Sequence, residues 1–207
     1  MGKVAAIILG AGLSRRFGAG PEDSKVLAML DGNPLIRHVA EAALASRARP
    51  ICVVTGHAGQ KVRAALADLD LRFIHNPKPE TGLSQSLVLG LDQLADEVAG
   101  ALILLADMPY VTGPLIDRLV AVFDAAPAET FAVVPVHAGR RGNPVLLGNA
   151  IFAAVKSIKG DHGARSIIDA LKHGVVEVPT DDRSIEIDID TSDMLDHLRA
   201  KPGLAKA

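Results

Sequence analysis

The sequence predicts a three-layer α/β/α domain of the Rossmann-like kind, with a mostly parallel sheet covered by helices on both faces. Hydrophobic residues make up 49% of the chain and aromatic residues only 3%, so its core must consist mainly of Ala, Val, Leu and Ile. Several short runs are continuously apolar, as in strands that are buried on both faces. Amphipathic segments separate these runs, which implies parallel strands joined by right-handed crossovers.

Length and composition exclude several classes of protein. The 207 residues suit one domain, and a net charge of -2 without a basic block gives no support to a nucleic-acid partner. The single Cys52 excludes an internal disulfide framework. No apolar stretch approaches the roughly 20 residues of a membrane span, and residues 1–9 are too short for the core of a signal peptide. We therefore expect a cytoplasmic protein that contacts no membrane.

The first part of the chain predicts alternating strands and helices. Val4 to Leu9 is a buried strand, followed by a polar, glycine-rich loop from Gly10 to Ser24. Asn33 is a predicted N-cap and Pro34 the first helical residue of a helix that ends near Ser46. The next predicted elements are a strand at 51–55, a helix at 58–68 and a strand at 72–75.

The remaining elements follow the same alternation as far as Pro144. Thr81 is a predicted cap, and the helix after it has one apolar face, formed by Leu83, Leu87, Leu91, Leu94 and Val98. A strand at 101–105, a helix capped by Thr112 and a strand at 131–136 come next. Beyond Pro144 we predict one antiparallel excursion of the sheet, with helices at 149–155 and 164–172, strands at 175–178 and 185–189, and a last helix from about Thr191.

The loop after the first strand, Gly10 to Gly18, has the composition of a phosphate-binding loop. Its glycines allow backbone N–H groups to converge on an anion, and Arg15, Arg16 and Lys25 add positive charge. An ordinary βα turn with solvated arginines is the structural alternative. A dinucleotide-binding fingerprint needs a small residue in place of Arg15, and the Gly-Lys-Ser/Thr of a P-loop is absent from the chain.

The segment Leu9-Gly10-Ala11-Gly12-Leu13-Ser14, with Arg16, Phe17, Gly18 and Lys25 beyond it, resembles the signature of nucleotidyltransferases. It is most similar to the molybdenum cofactor cytidylyltransferase and MobA-like branch, whose members act on molybdopterin. In that family the loop binds the triphosphate of a nucleotide, and the arginine and lysine neutralise it. The segment between Gly18 and Lys25 is longer here than in relatives. The resemblance implies a nucleotide site formed by Leu9, Gly10, Ala11, Gly12, Ser14, Arg16 and Lys25.

Two acidic segments are candidate metal ligands. Asp107 follows a buried strand, and the carboxyl ends of parallel strands face the crevice where such sheets bind ligands. A turn acid or helix cap is the alternative. Asp188 and Asp190 alternate with isoleucines, as on the wet face of a strand, and Thr191 or Ser192 competes with Asp190 as the next cap. The resemblance implies Mg²⁺ on Asp107 and Asp190, with Arg16, Lys25 and Asp107 as the catalytic residues.

Three further motifs resemble elements of the same family. Gly82 and Ser84 belong to a G-x-S-x-S element that lies near the nucleotide in relatives, and Ser86 is placed towards the acceptor. Arg141 and Asn143 belong to an R-G-N-P-V-L element, while a G-D-H-G-A-R element ends in Arg165. Arginines there are suited to bind a phosphate bidentately, with solvated surface loops as the alternative. We predict that Ser86, Arg141, Asn143 and Arg165 bind the acceptor.

By resemblance, the chain transfers a nucleotidyl group from CTP to the phosphate of molybdopterin and releases pyrophosphate. Ala11 matches the third position of the cytidylyl type, because guanylyltransferases typically have Gly there. We expect a single domain over residues 1–207, with a nucleotide-binding part at about 1–110 and an acceptor-binding part at about 111–200. A molybdoenzyme or its chaperone is a candidate partner. GTP as donor, a sugar phosphate as acceptor and a non-catalytic carrier are the alternatives.

Overall fold

The computed structural model describes residues 2–13, 17, 24–160, 163–171 and 173–200. The strands in these ranges are β1 (Lys3–Gly10), β2 (Met29–Leu30), β3 (Asn33–Pro34), β4 (Ile51–Thr55), β5 (Arg72–His75), β6 (Val98–Leu105), β7 (Ala132–His137), β8 (Arg140–Arg141), β9 (Val145–Gly148) and β10 (Val175–Pro179). The α-helices are α1 (Leu35–Leu44), α2 (Gly59–Ala65), α3 (Leu83–Asp92), α4 (Gly113–Ala125), α5 (Phe152–Lys156), α6 (Arg165–Ala170) and α7 (Ser192–Ala200).

One mixed sheet forms the centre of the fold, in the strand order β10-β7-β9-β6-β1-β4-β5. The pairs β6–β1, β1–β4, β4–β5 and β7–β10 are parallel, whereas β9 runs antiparallel to both β6 and β7. The short strand β8 pairs antiparallel with the end of β7. The predicted α/β fold with one antiparallel excursion is therefore confirmed, and the carboxyl ends of β1, β4, β5, β6 and β7 lie at one edge of the sheet.

The helices cover both faces of this sheet. Along β1, Ala6 and Ile8 belong to one hydrophobic cluster, together with residues of α1, α2 and α4. Ile7 and Leu9 belong to a second cluster on the other face, with residues of α3, α5 and α6. Since successive side chains of a strand point to opposite faces, the uninterrupted apolar sequence of β1 supplies both cores. No helix in the described ranges is long and apolar enough to cross a bilayer.

A small hairpin precedes α1, and here the predicted helix start is wrong. Asp31 and Gly32 both have positive φ, 48° and 84°, as the two-residue turn of a hairpin requires. Asn33 pairs with Leu30 in this hairpin, so it is a strand residue and does not cap the helix. The helix begins only at Leu35. The Asp-Gly dipeptide is the signal that favours the hairpin.

Two other predicted features differ from the structure near α3 and β6. Gly82, with a φ of 104°, occupies the N-cap position of α3, while the Thr81 hydroxyl donates a hydrogen bond to the Lys78 carbonyl at 2.7 Å. Thr81 is therefore not the cap. Val98 is not the last apolar residue of the helix either, because α3 ends at Asp92 and Val98 begins β6.

The predicted strand at 185–189 is wrong. A 3₁₀ turn covers Arg183–Glu186, and the extended residues after it pair with no strand in the described part of the chain. The Ile189 N–H donates a hydrogen bond to the Asp107 carbonyl at 2.9 Å, which ties this segment to the end of β6. The predicted caps at Thr112 and Thr191 are confirmed, because Thr112 accepts from the Leu115 N–H and Thr191 from the Met194 N–H.

Candidate active site

A cleft of about 630 Å³ opens over the carboxyl ends of β1 and β6. This is the position at which open α/β sheets bind their ligands. The loop after β1, the segment that leads into α3 and four charged side chains surround it. Its lining consists of Leu9, Ala11, Gly12, Leu13, Lys25, Val26, Pro79, Glu80, Gly82, Leu83, Ser86, Leu105, Asp107 and Asp190.

The predicted nucleotide loop contributes to the cleft through Leu9, Ala11 and Gly12. Gly10 has a packing role instead, because a Cβ on it would lie 2.9 Å from Ile36 Cδ1 and 3.3 Å from the Val54 carbonyl oxygen. A Cβ on Gly12, in contrast, would meet no described atom within 4 Å, so this backbone is open to a ligand. The predicted residues Ser14 and Arg16 lie outside the described residues, as does Arg15.

Lys25 joins two carboxylates at one end of the cleft. Its Nζ donates a hydrogen bond of 2.6 Å to Asp107 Oδ2 and one of 2.8 Å to Asp190 Oδ1. Only 12% of the lysine side chain is exposed. Burial lowers the pKa of Lys25, but the two carboxylates together raise it by more, so its pKa lies above the ordinary value and the ammonium stays charged. The two acids therefore converge on one cation.

A third, smaller hydrophobic cluster brings these three residues together. Ile189 is buried in it with Leu195 and Leu198 of α7, against Leu30 and Leu35 of the hairpin region. The Arg199 guanidinium also donates two hydrogen bonds to the Met29 carbonyl, at 3.0 and 2.6 Å. Through these contacts, helix α7 positions Asp190 beside Asp107. The hairpin that follows Lys25 packs against the same helix.

Asp190 differs from the neighbouring Asp188 in its surroundings. Asp190 lines the cleft and contacts Lys25, whereas Asp188 is exposed and is not among the lining residues. Although the residue is exposed, its carboxyl group is partly desolvated, and this, followed by the charges of Asp190 and Asp107, raises the pKa of Asp188. Because Thr191 caps α7, Asp190 is not needed for that task, and the geometry favours it over Asp188 as a ligand for a cation.

The start of α3 forms the opposite side of the cleft. Gly82 and Ser86 line it, and the Ser86 hydroxyl accepts a hydrogen bond of 3.0 Å from Asn76 Nδ2. Asn76 is fully buried, and its Oδ1 accepts from the Lys78 N–H, so it fixes the turn between β5 and α3. Ser84 is buried outside the lining, and its N–H donates to the Gly160 carbonyl at 3.2 Å. It supports the cleft indirectly.

The structure does not bring the three remaining acceptor-site candidates to the cleft. Arg141 pairs with Glu177 at 2.8 Å and with Asp169 at 3.1 Å. Arg165 donates a hydrogen bond to the Arg141 carbonyl, and the Asn143 N–H donates one to the Ile185 carbonyl. Arg141 is the last residue of β8, which pairs with the carboxyl end of β7, and Asn143 follows two residues later, so both lie at the edge of the sheet on which the cleft opens.

One feature of this part of the chain does reach the cleft. A Cβ on Gly163 would lie 3.1 Å from Cδ2 of Leu83, which is a lining residue. Together with the Gly160–Ser84 hydrogen bond, this contact places the G-D-H-G-A-R segment beside the entrance to α3, although Asp161 and His162 lie outside the described residues.

Sequence reasoning missed several lining residues. Pro79 and Glu80 precede Gly82, and Val26 follows Lys25, but none of them belongs to a motif with a recognised spacing. Proximity in the chain to a predicted site residue is the only signal that points to them.

The described part of the chain contains no cluster of three or more His, Cys, Asp and Glu residues that could hold a metal ion. Asp107 and Asp190 nevertheless converge on the ammonium of Lys25 within hydrogen-bond distance. Two carboxylates fit the needs of Mg²⁺, which takes one or two protein ligands and completes its shell with substrate phosphates and water. The donor set is therefore of the right kind for a cation shared with a bound nucleotide.

Comparison with known proteins agrees with this geometry. Residues 6–175 match the MobA-like NTP transferase domain. Over 178 residues, the chain is 31% identical to the bifunctional protein GlmU of Thiobacillus denitrificans, and the match covers 86% of this chain and 38% of that protein. The chain thus spans well under half the length of this relative.

Solved structures share the fold over almost the entire chain. Rv0371c of Mycobacterium tuberculosis H37Rv has a TM-score of 0.83 at 22% identity, with 97% of this chain and 99% of that one covered. The same protein has also been solved in complex with manganese. The 4-diphosphocytidyl-2C-methyl-D-erythritol synthase of Anaerococcus prevotii has a TM-score of 0.74 at 14% identity, covering 96% and 95% of the two chains.

The fold, the cleft at the carboxyl edge of the sheet and the family match define an NTP transferase domain. The chain belongs to the family of the MobA-like NTP transferase domain. The matched residues end at 175, so that Asp190 and α7 are contributed by the chain beyond the matched range.

Proposed function

We propose that this chain transfers the cytidylyl group of CTP to the phosphate of a molybdopterin-type acceptor and releases pyrophosphate. The observation that carries the proposal is the convergence of Lys25, Asp107 and Asp190 in a cleft that the glycine loop also lines. A cation site next to an open backbone loop suits a triphosphate, because charge neutralisation and positioning provide most of the catalysis in such transfers.

In the proposed reaction an oxygen of the acceptor phosphate attacks the α-phosphorus of CTP. A new P–O bond forms there, the bond from the α-phosphorus to the α–β bridging oxygen breaks, and pyrophosphate leaves with the electron pair. The backbone of Ala11 and Gly12 and the side chains of Arg16 and Lys25 hold the triphosphate. Gly82 and the first turn of α3 hold the nucleoside part of CTP. Ser84, which is buried outside the cleft lining, supports this turn. No covalent intermediate with the enzyme is required.

Mg²⁺ is the proposed metal, and Asp107 and Asp190 would hold it. Both carboxylates contact the ammonium group of Lys25 in the structure. When bound, Mg²⁺ stabilises the negative charge that develops on the phosphate oxygens in the transition state. In the structure Lys25 occupies the position between the two acids, so nucleotide binding would draw its ammonium towards the triphosphate. The manganese complex of Rv0371c fits a divalent metal in a protein of the same fold.

For the acceptor we propose a path along the edge of the sheet from Ser86 towards Arg141, Asn143 and Arg165. Arg141 is paired with two exposed carboxylates, and such surface pairs are weak enough for a phosphate to replace them. We also propose that the protein acts in the cytoplasm and passes its product to a molybdoenzyme or to the chaperone of such an enzyme.

The acceptor is tested by pyrophosphate release from CTP and Mg²⁺ in the presence of single acceptors. We expect release with molybdopterin and none above background with sugar phosphates. Release with a sugar phosphate or a phosphorylated polyol alone would favour the alternative acceptors and contradict the molybdopterin assignment. CTP binding without turnover on any acceptor would favour a carrier.

Replacement of Ala11 by Gly tests the choice of base. Ala11 lies in the cleft lining, and we expect its methyl group to narrow the space for a purine base beside the loop. One methyl group discriminates by only about 1–3 kcal/mol, so we expect CTP to be preferred over GTP without being the exclusive substrate. In Ala11→Gly, kcat/KM for GTP should rise relative to that for CTP. Competition of both nucleotides in one assay with molybdopterin measures this, and a guanine dinucleotide as main product of the unmodified protein would contradict the cytidylyl assignment.

A further inference from the structure

The cleft lining contains a further acidic side chain, on the segment that leads into α3. Glu80 lines the cleft next to Pro79, and its Oε2 lies 3.8 Å from His57 Nε2. Both side chains are about half exposed, at 53% and 51%. Neither residue belongs to a motif that the proposed reaction uses.

Glu80 and Asp107 follow different strands of the sheet. Asp107 follows β6, whereas His57 follows β4 and Glu80 follows β5, on the other side of β1. With neighbouring strands about 4.8 Å apart, β5 and β6 are separated by roughly 14 Å. A ligand that contacts both Asp107 and Glu80 therefore lies over the carboxyl ends of β1 and β4, the strands between β6 and β5.

Charge orients such a ligand. Lys25 and a metal on Asp107 attract the triphosphate to the β6 end, and the carboxylate of Glu80 repels phosphate from the β5 end. The nucleoside part of the molecule consequently points towards Glu80. The loop after β1 and the segment before α3 approach each other at Gly56. A Cβ on Gly56 would lie 2.8 Å from the Ala11 carbonyl oxygen and 3.2 Å from Pro79 Cβ.

We propose that Glu80 is a specificity-determining residue that accepts a hydrogen bond from the exocyclic amino group of cytosine and thereby selects CTP over UTP. An ionised carboxylate only accepts hydrogen bonds. Cytosine offers a donor at N4, whereas the corresponding O4 of a uracil-type base is an acceptor, which the carboxylate repels. Glu80 thus complements Ala11, which separates CTP from GTP by size. This inference rests on the proposed function, because it takes the ligand to be CTP.

Calorimetric binding of CTP and of UTP to the full chain with Mg²⁺, in the absence of any acceptor, tests the inference. We expect the unmodified protein to bind CTP at least about tenfold more tightly than UTP, as a hydrogen bond to a charged group allows. In Glu80→Gln this ratio should fall to near one, because the amide can donate to O4. The matched control is Glu97→Gln, an exposed glutamate that faces Lys3 at the opposite edge of the sheet and should leave the ratio unchanged.

Three results would overturn the inference, and they separate it from the proposed function. If Glu80→Gln weakens CTP and UTP equally, Glu80 binds the ribose or another shared group. If CTP is preferred but the ratio stays the same in Glu80→Gln, another residue selects the base, and the proposed function stands. If the unmodified protein binds neither nucleotide, both the proposed function and the role of Glu80 are wrong.

Discussion

Asp107→Asn is expected to lower kcat by more than about a hundredfold while the protein remains folded. The asparagine keeps the shape of the side chain but removes the charge that the proposed Mg²⁺ requires, which should cost about 3 kcal/mol or more of transition-state stabilisation. Folding should survive, because the core on both sides of the sheet is unaffected and Lys25 retains its contact with Asp190. Steady-state kinetics with CTP and Mg²⁺ measure the loss, and thermal unfolding checks the fold.

Asp188→Asn is the matched control for this experiment. It removes an acid close to the same site, but one that is exposed and does not line the cleft. We expect a change in kcat of less than about threefold, in line with a charge that contacts neither metal nor substrate. A normal turnover of folded Asp107→Asn, or a larger loss in Asp188→Asn, would contradict the assignment of Asp107 as the metal ligand.

Lys25→Met is expected to change catalysis and metal binding in opposite directions. In the proposed reaction the ammonium neutralises the triphosphate, so kcat/KM for CTP should fall by about a hundredfold. In the nucleotide-free protein, however, the same ammonium competes with a cation for Asp107 and Asp190. Without it, the affinity for Mn²⁺ should rise by about tenfold, because two carboxylates then face the metal without a competing charge. A titration of Mn²⁺ followed by electron paramagnetic resonance measures this affinity.

Lys156→Met provides the control, since this lysine forms a surface ion pair with Asp92 away from the cleft. It should alter neither kcat/KM nor Mn²⁺ affinity. If Lys25→Met weakened Mn²⁺ binding instead, Lys25 would support the two acids rather than occupy their cation position.

The strands that carry the site were predictable because each is buried on both faces. Continuous apolar sequence at β1 and β6 locates the strands, and the cleft-lining residues Gly12 and Asp107 each lie two residues beyond a strand end. The segment at 187–190 shows the limit of such patterns. The alternation of isoleucines and aspartates correctly indicates that Ile189 is buried and Asp190 partly exposed. However, Ile189 is buried by α7 and the hairpin and not by a neighbouring strand. The spacing of apolar residues therefore predicts which side chains are buried, but it does not show whether the backbone pairs with another strand.

The sequence motifs identified Lys25, Asp107 and Asp190 individually, but their contact was not predictable. The lysine is 82 residues from one acid and 165 from the other, and its motif assigned it to the triphosphate. The ion pairs of Arg141 were not predictable for the same reason. Its motif assigned Arg141 to an acceptor phosphate, but in the structure it pairs with Glu177 and Asp169, which lie far along the chain. Glu80 belongs to no motif, and a single exposed acid in a turn has no periodic pattern, so that only its proximity to Gly82 points to it.

The position of the phosphorus label in the products tests the central claim most directly. CTP labelled at the α-phosphorus or at the γ-phosphorus is incubated with the protein, Mg²⁺ and molybdopterin, and the products are separated. Nucleotidyl transfer predicts that the α-label enters the organic product and that the γ-label leaves as pyrophosphate. Transfer of the γ-label to the acceptor, or recovery of both labels in unchanged CTP bound to the protein, would contradict attack on the α-phosphorus in this cleft.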